Sequence, residues 1–229
     1  MISVVIPTLN AETGLTPTLA ALVPAAVDGI VREVVVADGG STDATAKIAD
    51  EAGAEFIVES GGRGAQLAAG ARKATSPWLL FLHADTVLDP GWEREASTFM
   101  YDVDTGKRPI AAAAFRFALD DRGLGPRILE RGVALRCSVF RLPYGDQGLL
   151  IPRHLYEAIG GFRPHPIMED VDLVRRLTRG RIAMLQSRAV TDARRFKERG
   201  YLRRSARNLS CLALYYCGVS TDRIARVYR

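Results

Sequence analysis

Acidic side chains stand at the end or the start of three predicted elements of this chain. Asp38 ends one apolar run, Asp85 follows another by three residues, and Asp170 lies in the first turn of a predicted helix. In an open α/β sheet, ligands bind beyond the carboxyl ends of the strands. Carboxylates at that edge could coordinate a divalent cation or take a proton from a reacting hydroxyl group.

The run before Asp85 predicts a buried strand. Residues 78–82 are all apolar, Pro77 precedes them, and the polar cluster 83–86 ends them. A short unbroken apolar run between turn signals is typical of a strand that is buried on both faces. Asp85 is therefore expected at the ligand-binding edge of the sheet.

The first ninety residues alternate strand patterns with helix patterns. The predicted strands are 3–7, 33–38, 55–58 and 78–82, and the predicted helices between them are 12–27, 44–52 and 63–74. Pro17 is tolerated only near the first turn of a helix. The order β-α-β-α-β-α-β predicts a parallel sheet with right-handed crossovers.

The second half of the chain mixes the two patterns. The predicted strands are 110–119, 149–151 and 182–185, and the predicted helices are 91–103, 125–140, 168–177 and 201–217. The predicted fold class is therefore α/β. We expect one domain over residues 1–229, with a mostly parallel central sheet flanked by helices and a C-terminal helix.

Composition favours one globular domain with anionic ligands. The 229 residues are 48% hydrophobic and 25% charged, and the formal net charge of +5 favours partners such as nucleotide phosphates. No apolar stretch is long enough to cross a bilayer, and the N-terminus does not resemble a signal peptide. The three cysteines lack metal-ligand spacing. We therefore expect a cytoplasmic protein with reduced thiols.

Five segments of the chain resemble family 2 glycosyltransferases of the GT-A fold, and they occur in the same order as in that family. They are VVIPTLN at 4–10, VADGGSTD at 36–43, Arg63 with Gly70, HAD at 83–85 and ED at 169–170. The segments GDQG at 145–148 and ARRF at 193–196 resemble a bacterial subgroup associated with radical-SAM or arsenosugar pathways. The resemblance implies a nucleotide-sugar-binding half, about 1–90, and an acceptor half, about 91–229.

The resemblance also implies a reaction and a site. The reaction is inverting transfer from a nucleoside-diphosphate sugar, most simply a UDP-sugar, to an acceptor hydroxyl on a small or lipid-linked molecule, assisted by Mn²⁺ or Mg²⁺. Asp85 would hold the metal, Asp170 would be the general base, and Glu169 would contact the acceptor or support Asp170. The implied nucleotide-binding residues are Pro7, Thr8, Asn10, Glu12, Asp38, Gly39, Arg63, His83 and Ala84, and the implied sugar or acceptor loop contains Gly145, Asp146 and Gln147.

One position departs from the family pattern. His83 stands where the family's D-x-D element has its first acid, so Asp85 is the one carboxylate of that element. Magnesium sites often use one or two carboxylates, with waters and substrate phosphates as the remaining ligands. One aspartate is therefore enough, although binding without nucleotide should be weak.

The acids of the helix predicted at 168–177 differ in their expected surroundings. Apolar residues stand three, four and seven positions after Asp170, which predicts that its carboxylate lies on the inward face of the helix. A carboxylate there needs a partner, a ligand or a function. Asp172 precedes Arg175 and Arg176 by three and four residues, and we expect it to form a surface ion pair.

Several site residues have alternative interpretations. Asp38 could bind the nucleotide base, bind a ribose as in dinucleotide-binding folds, or cap a helix. Arg63 could contact a phosphate or simply lie at the surface. The segment 145–148 could cover the donor sugar or form a tight turn.

The last helix has an apolar stripe and basic neighbours. The stripe is Tyr201, Leu209, Leu212 and Tyr216, and basic residues outnumber acidic ones from Arg194 onward. Core packing is the first interpretation of such a stripe. Peripheral contact with the inner face of a membrane, or a homodimer contact, is the alternative. No nucleic-acid partner is expected.

Two other functional classes are compatible with the sequence. A non-catalytic sugar-nucleotide sensor would explain His83, and it would bind UDP without turnover. A Rossmann-type enzyme would bind S-adenosylmethionine or NAD instead. The glycines argue against the second class, because they follow the second strand, whereas Gly-x-Gly-x-x-Gly belongs after the first.

Overall fold

One mixed sheet forms the centre of the computed structural model, which describes residues 1–194 and 200–228, except the side chains of residues 140 and 202–204. Its strands are β1 (Ile2–Thr8), β2 (Val31–Asp38), β3 (Glu55–Val58), β4 (Trp78–Phe81), β5 (Thr86–Leu88), β6 (Ala112–Leu119), β7 (Leu149–Pro152) and β8 (Ile182–Thr191). The strand order is β3-β2-β1-β4-β7-β6-β8-β5. The first four strands in this order are parallel, as predicted.

The other half of the sheet is mixed. Strand β7 is antiparallel to both β4 and β6, β8 is parallel to β6, and β5 is antiparallel to β8. The flanking helices are α1 (Glu12–Ala20), α2 (Val23–Val27), α3 (Thr45–Glu51), α4 (Arg63–Lys73), α5 (Trp92–Asp104), α6 (Leu124–Phe140), α7 (Arg153–Ala158), α8 (Glu169–Leu177), α9 (Tyr201–Tyr216) and α10 (Thr221–Tyr228). The predicted fold class, a single α/β domain, is confirmed.

Strand β4, at the centre of the sheet, is buried on both faces, which explains its unbroken apolar run. Trp78 and Leu80 pack with the residues of one face, whereas Leu79 and Phe81 pack with those of the other. All four side chains are at most 4% exposed. The loops that follow β1, β2 and β4 therefore begin at strand ends that are packed into the core.

The helix predicted over 12–27 is two helices. Pro17 is the sixth residue of α1, and the helix continues past it for three residues. Pro24 has no N–H and cannot donate to the carbonyl of Ala20, so the hydrogen-bond ladder stops there. A second helix, α2, then begins with Pro24 in its first turn.

Four further elements differ from the prediction. Strand β5 and helices α7 and α10 were not predicted, and β8 continues to Thr191 rather than ending at Leu185. The added part of β8 contains Gln186, Ser187 and Arg188, whose polar side chains give no apolar pattern. Pairing with β5 and β6 makes this segment a strand.

The stripe predicted on the C-terminal helix does not form one buried face. Leu209 and Tyr216 are 64% and 48% exposed, whereas Tyr201 and Leu212 are half-buried against neighbouring clusters. Several of the basic residues that were counted with this helix lie outside the described residues or have no described side chain. Within the described residues, none of the helices is long and apolar enough to span a membrane.

Candidate functional site

A groove of about 840 Å³ opens beyond the carboxyl ends of β1 and β4. The predicted site residues that line it are Pro7, Thr8, Asn10, Gly39, Arg63, His83, Ala84, Asp85, Gly145, Asp146 and Asp170. They come from segments that are far apart in the sequence, from Pro7 to Asp170, and the fold brings them together. Four other predicted residues, Glu12, Asp38, Gln147 and Glu169, do not line this groove and instead support it.

Asp38 fixes the loop that follows β2. Its Oδ1 accepts hydrogen bonds from the hydroxyls of Thr8 (2.8 Å) and Ser41 (2.5 Å), and its Oδ2 accepts from the backbone N–H groups of Gly40 (2.8 Å) and Ser41 (2.6 Å). Burial acts to raise the pKa of Asp38, but these hydrogen bonds outweigh it, and the pKa is lowered. A carboxylate has about four acceptor sites, and those of Asp38 are all used by donors of the protein itself.

The loops after β1 and β2 are clamped together by side chains. Asn10 Oδ1 accepts from the backbone N–H of Thr42 (3.0 Å), and Glu12 Oε2 accepts from that of Ala44 (3.1 Å). Asn10 has a positive φ of 50°, a conformation that Asn tolerates better than most residues. Glu12 therefore shapes the rim of the groove without lining it.

Gln66 is a supporting residue that the sequence did not indicate. Its side-chain amide is buried and donates to the backbone carbonyls of Thr8 (2.7 Å) and Ala37 (3.0 Å). A Cβ atom on Gly39 would lie 3.0 Å from the Gln66 Nε2 atom. Gln66 thus ties helix α4 to the ends of both strands, and Gly39 leaves room for it.

Arg63 and Glu169 form an ion pair that joins α4 to α8. The Glu169 side chain is fully buried, whereas the Arg63 side chain is 37% exposed and lines the groove. Burial raises the pKa of Glu169 more than the Arg63 charge lowers it. Glu169 Oε2 is buried and has no hydrogen-bond partner among the described residues. Glu169 thus orients Arg63 at the groove.

Asp170 faces the groove and is held by backbone donors. Its Oδ2 accepts from the N–H of Gly145 (2.7 Å), and its Oδ1 accepts from the N–H of Val171 (2.8 Å). A Cβ atom on Gly145 would lie 2.6 Å from His83 Nε2 and 3.2 Å from Asp170 Oδ2. The backbone of Gly145 therefore lies close to the side chains of His83 and Asp170. This close approach is possible because residue 145 has no side chain.

One expectation for helix α8 needs correction. Asp170 is half-buried and faces the groove, and Leu173, Val174 and Leu177 are buried as predicted. Asp172 is not a surface residue, because its side chain is only 8% exposed. It accepts two hydrogen bonds from Arg176, as the spacing predicted.

The turn Gly145–Gln147 divides its residues between the groove and the core. Gln147 is buried; its amide donates to the carbonyl of Phe115 (2.9 Å), and its Oε1 accepts from Arg136 (3.2 Å). Asp146 lines the groove, and its Oδ1 atom is buried without a partner among the described residues. Burial, aided by the charges of Asp170 and Asp85, raises the pKa of Asp146 to about 6.

The donor chemistry at this edge fits a hard divalent cation. Among the described residues, no three His, Cys, Asp or Glu side chains are grouped so as to hold a metal by themselves. Asp85 and Asp146 line the same groove, and the buried Asp146 Oδ1 has no hydrogen-bond partner in the part of the chain that the structure describes. Asp85 with phosphate oxygens and waters would satisfy the ligand preference of Mg²⁺ or Mn²⁺.

Sequence comparison relates the first half of the chain to known proteins. Residues 3–106 match the family model described as glycosyl transferase family 2. An uncharacterized glycosyltransferase of Mycobacterium tuberculosis is 34% identical over 118 residues, which are 48% of this chain and 50% of that protein. A PGL/p-HBAD biosynthesis glycosyltransferase of the same species is 39% identical over 107 residues, 38% of this chain and 36% of that protein. The chain thus spans half the length, or less, of these relatives.

Solved structures share this fold over most of the chain. Glucosyl-3-phosphoglycerate synthase from M. tuberculosis, in complex with Mg²⁺ and UDP, superposes with a TM-score of 0.63 at 22% identity, over 96% of this chain and 80% of that one. TarS from S. aureus superposes with a TM-score of 0.62 at 20% identity, over 82% of this chain and 60% of that one. The GT-A fold expected from the resemblance is confirmed. The radical-SAM or arsenosugar subgroup stays a prediction, and part of the segment at 193–196 lies outside the described residues.

Proposed function

We propose that this chain is a family 2 glycosyltransferase, as the match of residues 3–106 supports, and that it moves a sugar from a UDP-sugar to an acceptor hydroxyl with inversion. The observation that carries the proposal is the shared groove. Asp85, Arg63 and Asp170 all line it, and Asp170 is oriented there by the N–H of Gly145. One cavity thus offers a cation ligand, a positive charge and a base.

The donor side of the groove suits a nucleoside diphosphate. The two clamped loops supply Thr8, Asn10 and Gly39 to the wall, and Arg63 presents its guanidinium to a phosphate. A divalent cation held by Asp85 and the diphosphate would neutralise charge that develops on the leaving group. The solved neighbour with UDP and Mg²⁺ supports this assignment of nucleotide and metal.

The acceptor side of the groove suits proton transfer. Asp170 uses one acceptor site on each oxygen for backbone N–H groups, so further lone pairs remain for a hydroxyl proton. The carboxylate would take that proton while the hydroxyl oxygen attacks the anomeric carbon from the face opposite the diphosphate, and the bond between that carbon and the diphosphate oxygen would break and release UDP. Fixed donors on both oxygens hold the base in position, which limits the entropy lost in reaching the transition state.

A sugar-nucleotide sensor remains the second candidate. His83 in place of an acid and the lack of a complete metal cluster among the described residues favour it. It predicts UDP binding and no transfer. A Rossmann-type cofactor enzyme is a weaker alternative, since the turn after β1 lacks the glycines that such enzymes use to bind phosphates.

Asp85→Ala should abolish the enhancement of UDP binding by Mn²⁺ while leaving the fold intact. The substitution removes the one carboxylate of the HAD segment that could bind the cation, so affinity with and without Mn²⁺ should become equal. Calorimetric titration of UDP with and without Mn²⁺ measures the difference. His83→Ala is the control and should have the smaller effect, because imidazole suits a hard cation less well. If Asp85→Ala kept the full enhancement of UDP affinity by Mn²⁺, Asp85 would not be the metal ligand.

Gly145→Ala should lower transfer activity by about tenfold or more, because a displaced base forfeits part of its proximity advantage. The new Cβ atom would lie 2.6 Å from His83 Nε2, so His83 or the turn must shift, and Asp170 would lose its donor geometry. The readout is kcat with a fixed donor and acceptor. Gly132→Ala is the matched control, because a Cβ there meets nothing within 4 Å. Equal loss in both variants would argue against a role for the turn.

A further inference from the structure

Helix α6 carries a second apolar face that points into solvent. Leu124, Ile128, Leu135 and Val139 are 80%, 68%, 65% and 54% exposed. Their spacing of four, seven and four residues places them along one side of the helix. We call these four residues the outer stripe. Isolated exposed apolar residues need no explanation, but a continuous stripe of four marks an interaction surface.

The opposite side of α6 is the one that packs on the sheet. Val133 and Cys137 are buried in a cluster with Phe117 and Leu119 of strand β6. These inner residues explain why the helix folds onto the domain. They do not explain the outer stripe, which lies half a turn away and contributes nothing to this packing.

Positive charges lie beside the outer stripe. Arg127 and Arg131 are exposed and one turn apart on its flank, and Arg122 and Arg141 are exposed just beyond the two ends of the helix. The acid of the helix, Glu130, lies toward the sheet, where it accepts a hydrogen bond from the backbone of Leu119 (2.9 Å). Asp120 and Asp121 precede the helix in the connection from β6.

We propose that the outer stripe and its arginines dock this protein on an anionic lipid bilayer, with α6 lying in the plane of the interface. An interfacial helix combines an apolar face that enters the acyl boundary with Lys or Arg that meet lipid phosphates. A second copy of the chain fits less well. A symmetric contact through the stripe would bring the flanking arginines of both copies near one another, and like charges repel.

Docking through α6 would place the groove near the membrane surface. The Arg136 guanidinium lies 3.5 Å from the centre of the Tyr144 ring, and Cys137 Sγ contacts Gln147 (3.2 Å). Tyr144 lines the groove, and Gln147 belongs to the turn Gly145–Gln147 that supports it. The outer stripe is thus about one helix diameter, ~10 Å, from that region. This proposal depends on α6 alone and stands whether or not the transfer reaction is correct.

Flotation of the full chain with vesicles tests the proposal without any sugar donor. We expect binding to vesicles of phosphatidylglycerol and phosphatidylcholine, weak binding to phosphatidylcholine alone, and loss of binding as salt shortens the Debye length to about 3 Å near 1 M. The double variant Ile128→Gln/Leu135→Gln should weaken binding about tenfold or more, because it removes buried apolar area. Arg127→Gln/Arg131→Gln should reduce the salt dependence.

Matched controls distinguish lipid binding through α6 from nonspecific binding through other exposed apolar residues. Val27→Gln/Val58→Gln alters residues that are 80% and 67% exposed on other elements, and it should bind like the wild type. Equal unfolding temperatures would show that the exposed substitutions leave the fold intact. The proposal is overturned if anionic vesicles bind no better than neutral ones, or if the stripe variant and the arginine variant both bind like the wild type. It is also overturned if the stripe variant abolishes self-association in the absence of lipid and leaves vesicle binding unchanged.

Discussion

Replacing Asp170 by asparagine should cut sugar transfer by about 10²–10⁴-fold, the usual contribution of a positioned general base. Asparagine keeps the size of the side chain and one acceptor for the Gly145 N–H, but it cannot take a proton. Affinity for the UDP-sugar should therefore stay close to that of the wild type. Release of UDP measures the rate, with slow hydrolysis of the donor as a substitute when the acceptor is unidentified.

A matched acid elsewhere provides the control for Asp170. Asp222 is the second residue of α10, as Asp170 is of α8, but its side chain is exposed and it does not line the groove. Asp222→Asn should leave both transfer and affinity unchanged. If Asp170→Asn were as active as the wild type across a panel of donors, Asp170 would not be the base.

Replacing Asp172 by asparagine should instead destabilise the fold. Asp172 accepts from Arg176 Nε (3.0 Å) and Nη2 (2.6 Å), from Arg163 (3.3 Å) and from the Tyr215 hydroxyl (3.4 Å). Its side chain is 8% exposed, and that of Arg176 is 18% exposed. Removing one charge of such a pair leaves the other buried and costs about 3 kcal/mol. The unfolding temperature should fall by about 6–12 °C, which calorimetry would detect.

An exposed pair with the same spacing is the control for Asp172. Glu51 and Lys47 are also four residues apart on a helix, but their side chains are 65% and 76% exposed. Glu51→Gln should leave the unfolding temperature unchanged within error, because exposed pairs contribute little. An unfolding temperature for Asp172→Asn that equals the wild-type value would show that its arginine contacts do not stabilise the domain.

The first half of the chain was largely predictable because its central strands, β1 and β4, are buried on both faces. The unbroken apolar run at 78–82 was compatible with a central strand or with a segment of a buried helix. The turn residues on both sides of the run favoured the strand. Strand β5, by contrast, has three residues, and only its pairing with β8 defines it. Long-range pairing of that kind leaves no periodic signal in a single sequence.

The acids of α8 show where reasoning from helical periodicity fails. The periodicity correctly predicted that Leu173 and Leu177 are buried, and it placed Asp170 on the same side of the helix, but it placed Asp172 at the surface. In the structure that first turn opens into the groove, so Asp170 is accessible. Asp172 is buried because Arg163 and Tyr215, from outside the helix, pack over it. Burial that depends on other elements cannot be predicted from the spacing within one helix.

Supporting residues were the hardest to predict. Gln66 gave no signal because a glutamine on a helix usually faces solvent, yet its amide joins the ends of two strands. Asp38 was correctly singled out, but its four hydrogen bonds lie within the protein. Its contact with a nucleoside stays a prediction. Chemistry at strand ends was therefore visible in the sequence, whereas the division between binding and supporting roles required coordinates.

The most direct test of the proposed function is the release of UDP from a panel of UDP-sugars with Mn²⁺ by the wild-type chain and by Asp170→Asn. We expect turnover of at least one donor by the wild type, slower by about 10²–10⁴-fold in the variant, with similar donor affinity for both. UDP binding without turnover of any donor by either protein would favour a sensor. Binding of S-adenosylmethionine or NAD, with no binding of UDP, would rule out a UDP-sugar transferase.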